Sequence, residues 1–282
     1  MARRCDNGVP VSPDLHWTFA PSVLLPIAGY VGVYAWRFRA ARRETGSRGA
    51  SSRHALCFAA AILVLLVAAV SPLDGLGEEY LFAAHMVQHV LLSDIAPLLL
   101  LLGLSRVIMR PVTRRLMSVE RALGPLAHPF TGIAVWFALI YLWHVPAMYE
   151  AAIENPVVHA LEHASFFTAG LAVWWPLIQP VPMRRPLTGP AAFAYILAAK
   201  MGLGGLGLYL AWSSNVAYGV YETFPRVWGL SAIEDQNLGG ALMMVEQSLV
   251  LAAVLLVLFV KMLARSEQQD LRRERLEDAA AV

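Results

Sequence analysis

The sequence predicts an all-α, polytopic membrane protein: a bundle of seven transmembrane helices with the N-terminus outside and the C-terminus cytoplasmic. Three observations lead there. Of 282 residues, 58% are hydrophobic and only 15% charged, which leaves too little polar surface to cover a soluble globule of this length. Apolar runs near the ~20 residues that cross ~30 Å of hydrocarbon recur along the chain, and a helix is the open-ended element that satisfies its own backbone in lipid. Finally, Arg and Lys crowd into alternate connections, although the net charge is only +2.

The runs lie at 19–37, 54–71, 80–103, 131–149, 157–179, 190–212 and 236–262. They define a transmembrane domain over 19–262, preceded by an extracytoplasmic arm (1–18) and followed by a charged tail (263–282). The first connection carries Arg39, Arg42, Arg43, Arg48 and Arg53, and the third Arg106, Arg110, Arg114, Arg115 and Arg121. The fifth carries Arg184 and Arg185, and the last run has Lys261 next to its end, just before a tail that carries Arg265, Arg272, Arg273 and Arg275. Positive residues stay on the cytoplasmic side, so these ends face inward. The intervening connections hold Asp74, Glu78, Glu79, Glu150, Glu154, Glu222, Glu234 and Asp235, with Arg226 their one basic residue. Arg3 and Arg4 oppose an outside N-terminus only weakly, because the rule fades about fifteen residues from a span. The alternating charges of the tail suit a solvated helical extension.

Cys5 lies in the arm and Cys57 in the second run, which excludes a disulfide framework and a CxxC motif. A bound metal must therefore use His, Met, carboxylate or carbonyl ligands.

Five of the eight histidines gather near the outer ends of runs: His85, His89, His144, His159 and His163. Ionisable side chains in a membrane face the bundle interior and mark sites, so this layer is the candidate metal centre. At ~1.5 Å per residue, His85 and His89 lie roughly 7 to 13 Å below the outer end of their helix, His144 roughly 7 Å, and His159 and His163 roughly 3 to 9 Å. Each HxxxH pair stacks two imidazoles on one helix face, the spacing that presents two nitrogens to one ion. Met86, about 100° around from His85, suits a soft ion such as Cu(I), although Met also fills cores. Glu162 completes an HxxEH sequence. That string matches a zinc-peptidase signature in which the Glu activates a metal-bound water, but the apolar surroundings favour a third ligand or a partner that fixes a His tautomer.

Pro146 is expected to kink the end of the fourth run beside His144, and Trp143 and Tyr149 fit an interfacial aromatic belt. In the last run, Gly239 and Gly240 allow close helix packing. Asp235 and Gln236 either cap that helix or attract a cation, and Met243 can join the metal layer. Asp94, Lys200 and Glu246 each sit near the middle of a run. They are expected to neutralise one another in a buried charge cluster, with a proton path as the functional alternative. By helical angle Asp94 points away from His85, outside the metal site.

In order, HMVQHVLL, WHVPAMY, HALEHASFF and DQNLGGALMM on seven spans resemble the polytopic CtaG family of cytochrome c oxidase assembly factors, which is distinct from the single-span copper donor sharing that name. The resemblance runs from His16 to Met262. It implies a non-enzymatic assembly factor of the bacterial plasma membrane that helps mature the copper-containing core of a haem–copper oxidase. It points to His85, His89, His144, His159, His163, Asp235 and Gln236. The last motif departs from the family, with Met244 and Val245 where an aromatic is expected after Met243.

Together these readings predict Cu(I) entering near the acidic loops, resting among the imidazoles, and passing to an oxidase subunit. The expected partners are cytochrome c oxidase subunits and membrane lipid, with no nucleic acid. A haem-binding redox protein and a membrane-embedded zinc hydrolase are the alternatives.

Overall fold

The computed structural model describes residues 12–280, and every element among them is helical. Arg3, Arg4, Cys5 and the rest of the arm up to residue 11 lie outside the described residues. The order is α1 (Pro21–Thr45), α2 (Ser52–Val70), α3 (Pro72–Glu79), α4 (Phe82–Val90), a π-turn over Leu91–Ile95, α5 (Ala96–Leu102), α6 (Arg110–Leu123), α7 (Pro129–Trp143), α8 (Pro146–Glu154), α9 (Pro156–Ile178), α10 (Pro190–Trp212), α11 (Val220–Thr223) and α12 (Ala232–Ala280). Pro21, Pro72, Pro129, Pro146, Pro156 and Pro190 each open a helix, where the missing N–H is not needed. Ser51 adds a capping box to α2, its side chain accepting from the His54 N–H while the His54 ring accepts from the Ser51 N–H.

Four stretches among the described residues are long and apolar enough to cross a membrane: Ser52–Val70, Phe82–Leu102, Pro190–Trp212 and Ala232–Ala279. A fifth is added if Arg110–Ala127 and Pro129–Trp143, which meet at 74°, form one span. The chain is thus a multi-pass helical membrane protein. The other expected runs fall short for visible reasons. Pro26, Gly29, Gly32 and Arg37 dilute α1, and His159, Glu162 and His163 dilute α9. The fourth run breaks at His144 and Val145 rather than kinking at Pro146, so that α7 ends at Trp143.

Contacts sort the connections by charge. At one end, Arg110 pairs with Glu44 at 2.7 Å, the Arg184 N–H donates to Glu120 at 2.8 Å, and Arg37 donates to the carbonyls of Val107 and Ile108. Acidic connections gather around the other: the Val220 N–H approaches Glu150 at 3.4 Å, and Tyr221 donates to the Gly77 carbonyl at 2.9 Å.

The long helix α12 packs along α10 and α4. A Cβ on Gly240 would stand 2.4 Å from the Ala211 nitrogen and 2.7 Å from the Gly207 carbonyl, and one on Gly239 would stand 2.6 Å from the Phe82 ring. Only hydrogen side chains permit this approach. The same helix continues unbroken past residue 262 into the charged tail.

Candidate metal centre

The site is built where α3, α4, α8 and α9 meet. On α4, His85 and His89 share a face one turn apart, and α9 presents His159, Glu162 and His163 across from them. The start of α4 is fixed from far away in sequence: Asp235 of α12 accepts the Phe82 N–H at 2.7 Å and the Ala83 N–H at 2.9 Å. Both oxygens of Asp235 thereby cap α4 rather than its own helix. Gln236 is likewise committed, accepting from the Ala217 N–H at 2.6 Å and donating to the Asn215 carbonyl at 3.2 Å.

Among the described residues, donor atoms of His85, His89, Glu162 and His163 all lie within 4.8 Å of one another. Nε2 of His89 is 3.5 Å and Nε2 of His85 3.9 Å from the Glu162 carboxylate. Ring centroids are 4.1 Å apart for His85 and His89 and 5.7 Å for His89 and His163. His85 and Glu162 are fully buried and His89 is 4% exposed. Both nitrogens of His85 and of His89, both oxygens of Glu162, and Nε2 of His163 have no hydrogen-bond partner among the described residues. Buried polar atoms are normally satisfied. Seven polar atoms without a partner thus converge between α4 and α9, and one donor atom from each of the four residues could hold a metal ion.

The other two histidines flank this group. His159 stacks 5.4 Å from His85 and pairs through Nδ1 with Glu78 of α3. That carboxylate accepts from Nδ1 and orients the ring, and Nε2 is buried with no hydrogen-bond partner among the described residues. His144, in the break between α7 and α8, holds its Nδ1 2.8 Å from the Ile140 carbonyl, which again leaves Nε2 unpartnered; its ring is 5.9 Å from His89. Met86 and Met243 lie outside the four-donor group. They line an adjoining cavity of about 20 Å³ with His89, His144, Ser93 and Gln247.

A lid of aromatic side chains covers the centre. Tyr149 lies 5.2 Å from His85, and its hydroxyl meets that of Tyr221 at 2.9 Å. Tyr218 stacks on Tyr149 at 4.0 Å and donates to the His144 carbonyl at 3.1 Å. The sequence suggested a membrane-interface belt for Trp143 and Tyr149, but both are buried, and Trp143 donates to Ser165 at 2.8 Å. Burial, chiefly, holds the phenols of Tyr218 and Tyr221 above the usual tyrosine range, so they remain protonated donors. Glu78, Tyr218 and Tyr221 carry no motif and were missed from sequence; Glu78 lies one turn beyond Asp74, in a connection read only for its charge. Asp74 itself accepts from Gln88, and burial followed by the charge of Glu78 pushes its carboxyl up to about 6.

Deeper in the bundle, the π-turn rotates Asp94 onto Lys200, with which it forms a buried ion pair. The Trp174 indole donates to Asp94 at 2.6 Å, and the Lys200 ammonium lies 5.3 Å from the Trp174 ring and 5.8 Å from that of Trp136. Glu246 joins through Gln247, which donates to it and approaches Asp94 at 3.5 Å. This cluster is separate from the histidine group.

Three imidazoles and a carboxylate suit zinc, copper or iron rather than calcium or magnesium, which prefer all-oxygen shells. Residues 32–265 match the family model described as cytochrome c oxidase caa3 assembly factor, Caa3_CtaG. Among curated proteins the chain is similar to uncharacterized proteins of Mycobacterium bovis and Mycobacterium tuberculosis, each 26% identical over 223 residues. It is also similar to one of Mycobacterium leprae, 22% identical over 221. The alignments cover 71% of this chain and 32% of each relative, so the chain spans about a third of the length of the curated relatives it matches. No solved structure matches it. The family match runs from within α1 into α12 and takes in all five site histidines; the chain belongs to the cytochrome c oxidase caa3 assembly factor family.

Proposed function

We propose that this chain takes up copper as Cu(I) at His85, His89, Glu162 and His163, in the outer half of the plasma membrane, and hands it to a cytochrome c oxidase subunit during assembly. The observation that carries the reading is the set of orphaned, buried donors converging from α4 and α9. Membership of an oxidase assembly family supplies the process, and the donor chemistry supplies the cargo.

Entry follows a gradient of exposure. The Glu78 side chain is 38% exposed and holds His159, which is 8% exposed and stacks on the fully buried His85. With Asp74, Glu79 and Glu154 nearby in the acidic connections, the rim attracts a cation before any imidazole binds it. In this reading α1 and α9 also span, giving seven spans with the basic connections cytoplasmic and the N-terminus outside.

The hydrolase alternative has less support. Glu162 lies inside the donor group against His85 and His89, the place of a ligand rather than of a base beside an open coordination position. For haem, the cavity beside His89 and His144 is about 20 Å³, room for an ion or a water and not for a macrocycle.

His89→Ala and His163→Ala are expected to leave the protein at its normal level in the membrane while lowering both its copper content and the activity of the oxidase it serves. Normal copper and normal oxidase activity in both variants would discard the proposal.

A further inference from the structure

The cavity below the four-donor centre has a chemistry of its own. It is lined by Met86 and His89 of α4, Ser93 of the π-turn, His144, Phe166 of α9, and Met243 and Gln247 of α12. His144 is 8% exposed and Met243 4%, while Met86 is fully buried. At about 20 Å³ the space holds one small occupant. Val90, Ile140 and Leu203 complete the lining, and its two histidines carry nitrogens with no partner among the described residues: Nε2 of His144, and both nitrogens of His89. The contact between His144 Nδ1 and the Ile140 carbonyl fixes the tautomer, so that Nε2 carries a lone pair rather than a proton.

Two thioethers and two imidazoles among the residues lining one small space form a soft donor set. Thioether sulfur binds Cu(I) and is a poor ligand for hard cations, whereas the carboxylate-containing group above it also accepts Zn(II) and Cu(II). We propose that this cavity is a second metal site, selective for a soft monovalent ion, built from Met86, His89, His144 and Met243. It rests on the copper reading of the upper centre and deepens it. His89 borders both compartments, so an ion passing inward can stay bound to it while His85, Glu162 and His163 are exchanged for His144 and the two thioethers. Each donor released is replaced by one gained. The ion remains Cu(I), no electron moves, and no bond within the protein is made or broken. Depth along α4 and the aromatic lid then keep the ion from water, and the sulfur donors retain Cu(I) while rejecting Zn(II).

The test uses the full chain purified in detergent, with Cys5→Ser and Cys57→Ser so that any sulfur neighbour is a methionine. It is titrated with Cu(I) against a competing chelator and then examined by copper X-ray absorption. A neutral imidazole has one lone pair, so with both sites filled His89 stays with the first ion; the proposal predicts a second equivalent of Cu(I) on Met86, Met243 and His144, with a sulfur shell. Met86→Leu with Met243→Leu, a swap that conserves volume, should remove that shell and the second equivalent while the first equivalent, and Zn(II) binding, persist. A spectrum with nitrogen and oxygen neighbours only, and a capacity unchanged by the Leu pair, overturns the second site and leaves the upper centre standing. Absence of any Cu(I) binding by the unsubstituted protein overturns both. Should the Leu pair fail to fold, the sulfur shell of the unsubstituted protein decides the matter by itself.

Discussion

Glu162 concentrates the tension in this centre. Its carboxylate is fully buried, faces two imidazoles, and has no hydrogen bond to either oxygen among the described residues. A buried group of this kind weakens the metal-free fold and is retained where it serves binding. Glu162→Gln keeps the shape and removes the charge. It is expected to raise the thermal midpoint of metal-free protein and, in a chelator competition, to weaken metal binding about 10–100-fold. A midpoint that falls, or an affinity that does not change, would show Glu162 to be a structural residue. Lys200 makes the opposite case, because its partner is present. Lys200→Met strands Asp94 in the interior and should cost about 3–5 kcal/mol, measured as loss of folded protein on heating. Adding Asp94→Asn should restore most of the loss while metal binding is unaltered.

The elements around the site are held by contacts that bring distant parts of the chain together, and these account for what the sequence did and did not disclose. The HxxxH pairs were legible because helical periodicity alone puts His85 with His89 and His159 with His163, and burial of charge in a membrane directs them inward. The π-turn over Leu91–Ile95 left no such mark. It adds a residue to the turn and sets the direction of Asp94, which helical angle alone could only exclude from the metal site. The partner of Asp235 was equally hidden, since its contacts to α4 lie about 150 residues away in sequence. Asp235→Ala should therefore act at a distance, losing about 1 kcal/mol with the cap and lowering metal affinity although no donor is touched. Gly77 is a second such support. A Cβ there would stand 2.9 Å from the His85 Cα, so Gly77→Ala is expected to push α3 off α4 and reduce bound metal with His85 itself intact. Metal content of the purified variants checks both.

Across the molecule, charge is sorted between the two ends of the bundle while the centre opens toward the acidic one. The pH response should carry that imprint. The folded-state value of Asp74 is raised to about 6 from an unfolded value of about 3.9, so the folded state holds this proton more tightly. The resulting stabilisation is fully present below the unfolded value and is lost as pH rises through the folded one. Thermal midpoints should consequently fall more steeply between about pH 4 and 7 in the unsubstituted protein than in Asp74→Asn, which keeps the acceptor for Gln88 and lacks the titration. Seven spans and their sidedness rest on charge and length patterns alone, whereas the all-helical, multi-pass character that the same patterns predict is borne out in four or five spanning stretches among the described residues. Of the longer helices, α1 and α9 are the less apolar ones, α1 through Pro26, Gly29, Gly32 and Arg37 and α9 through His159, Glu162 and His163. Everything proposed for this assembly-family member depends on the converging donors of α4 and α9 holding a transition metal. The decisive measurement is the metal content of the purified full chain compared with a variant in which His85, His89, His159 and His163 are all replaced by Ala. Copper retained through purification by the unsubstituted protein, and lost by a variant that still folds and inserts, is the predicted result. Equal metal content in the two proteins, or none in either after exposure to Cu(I), would contradict it.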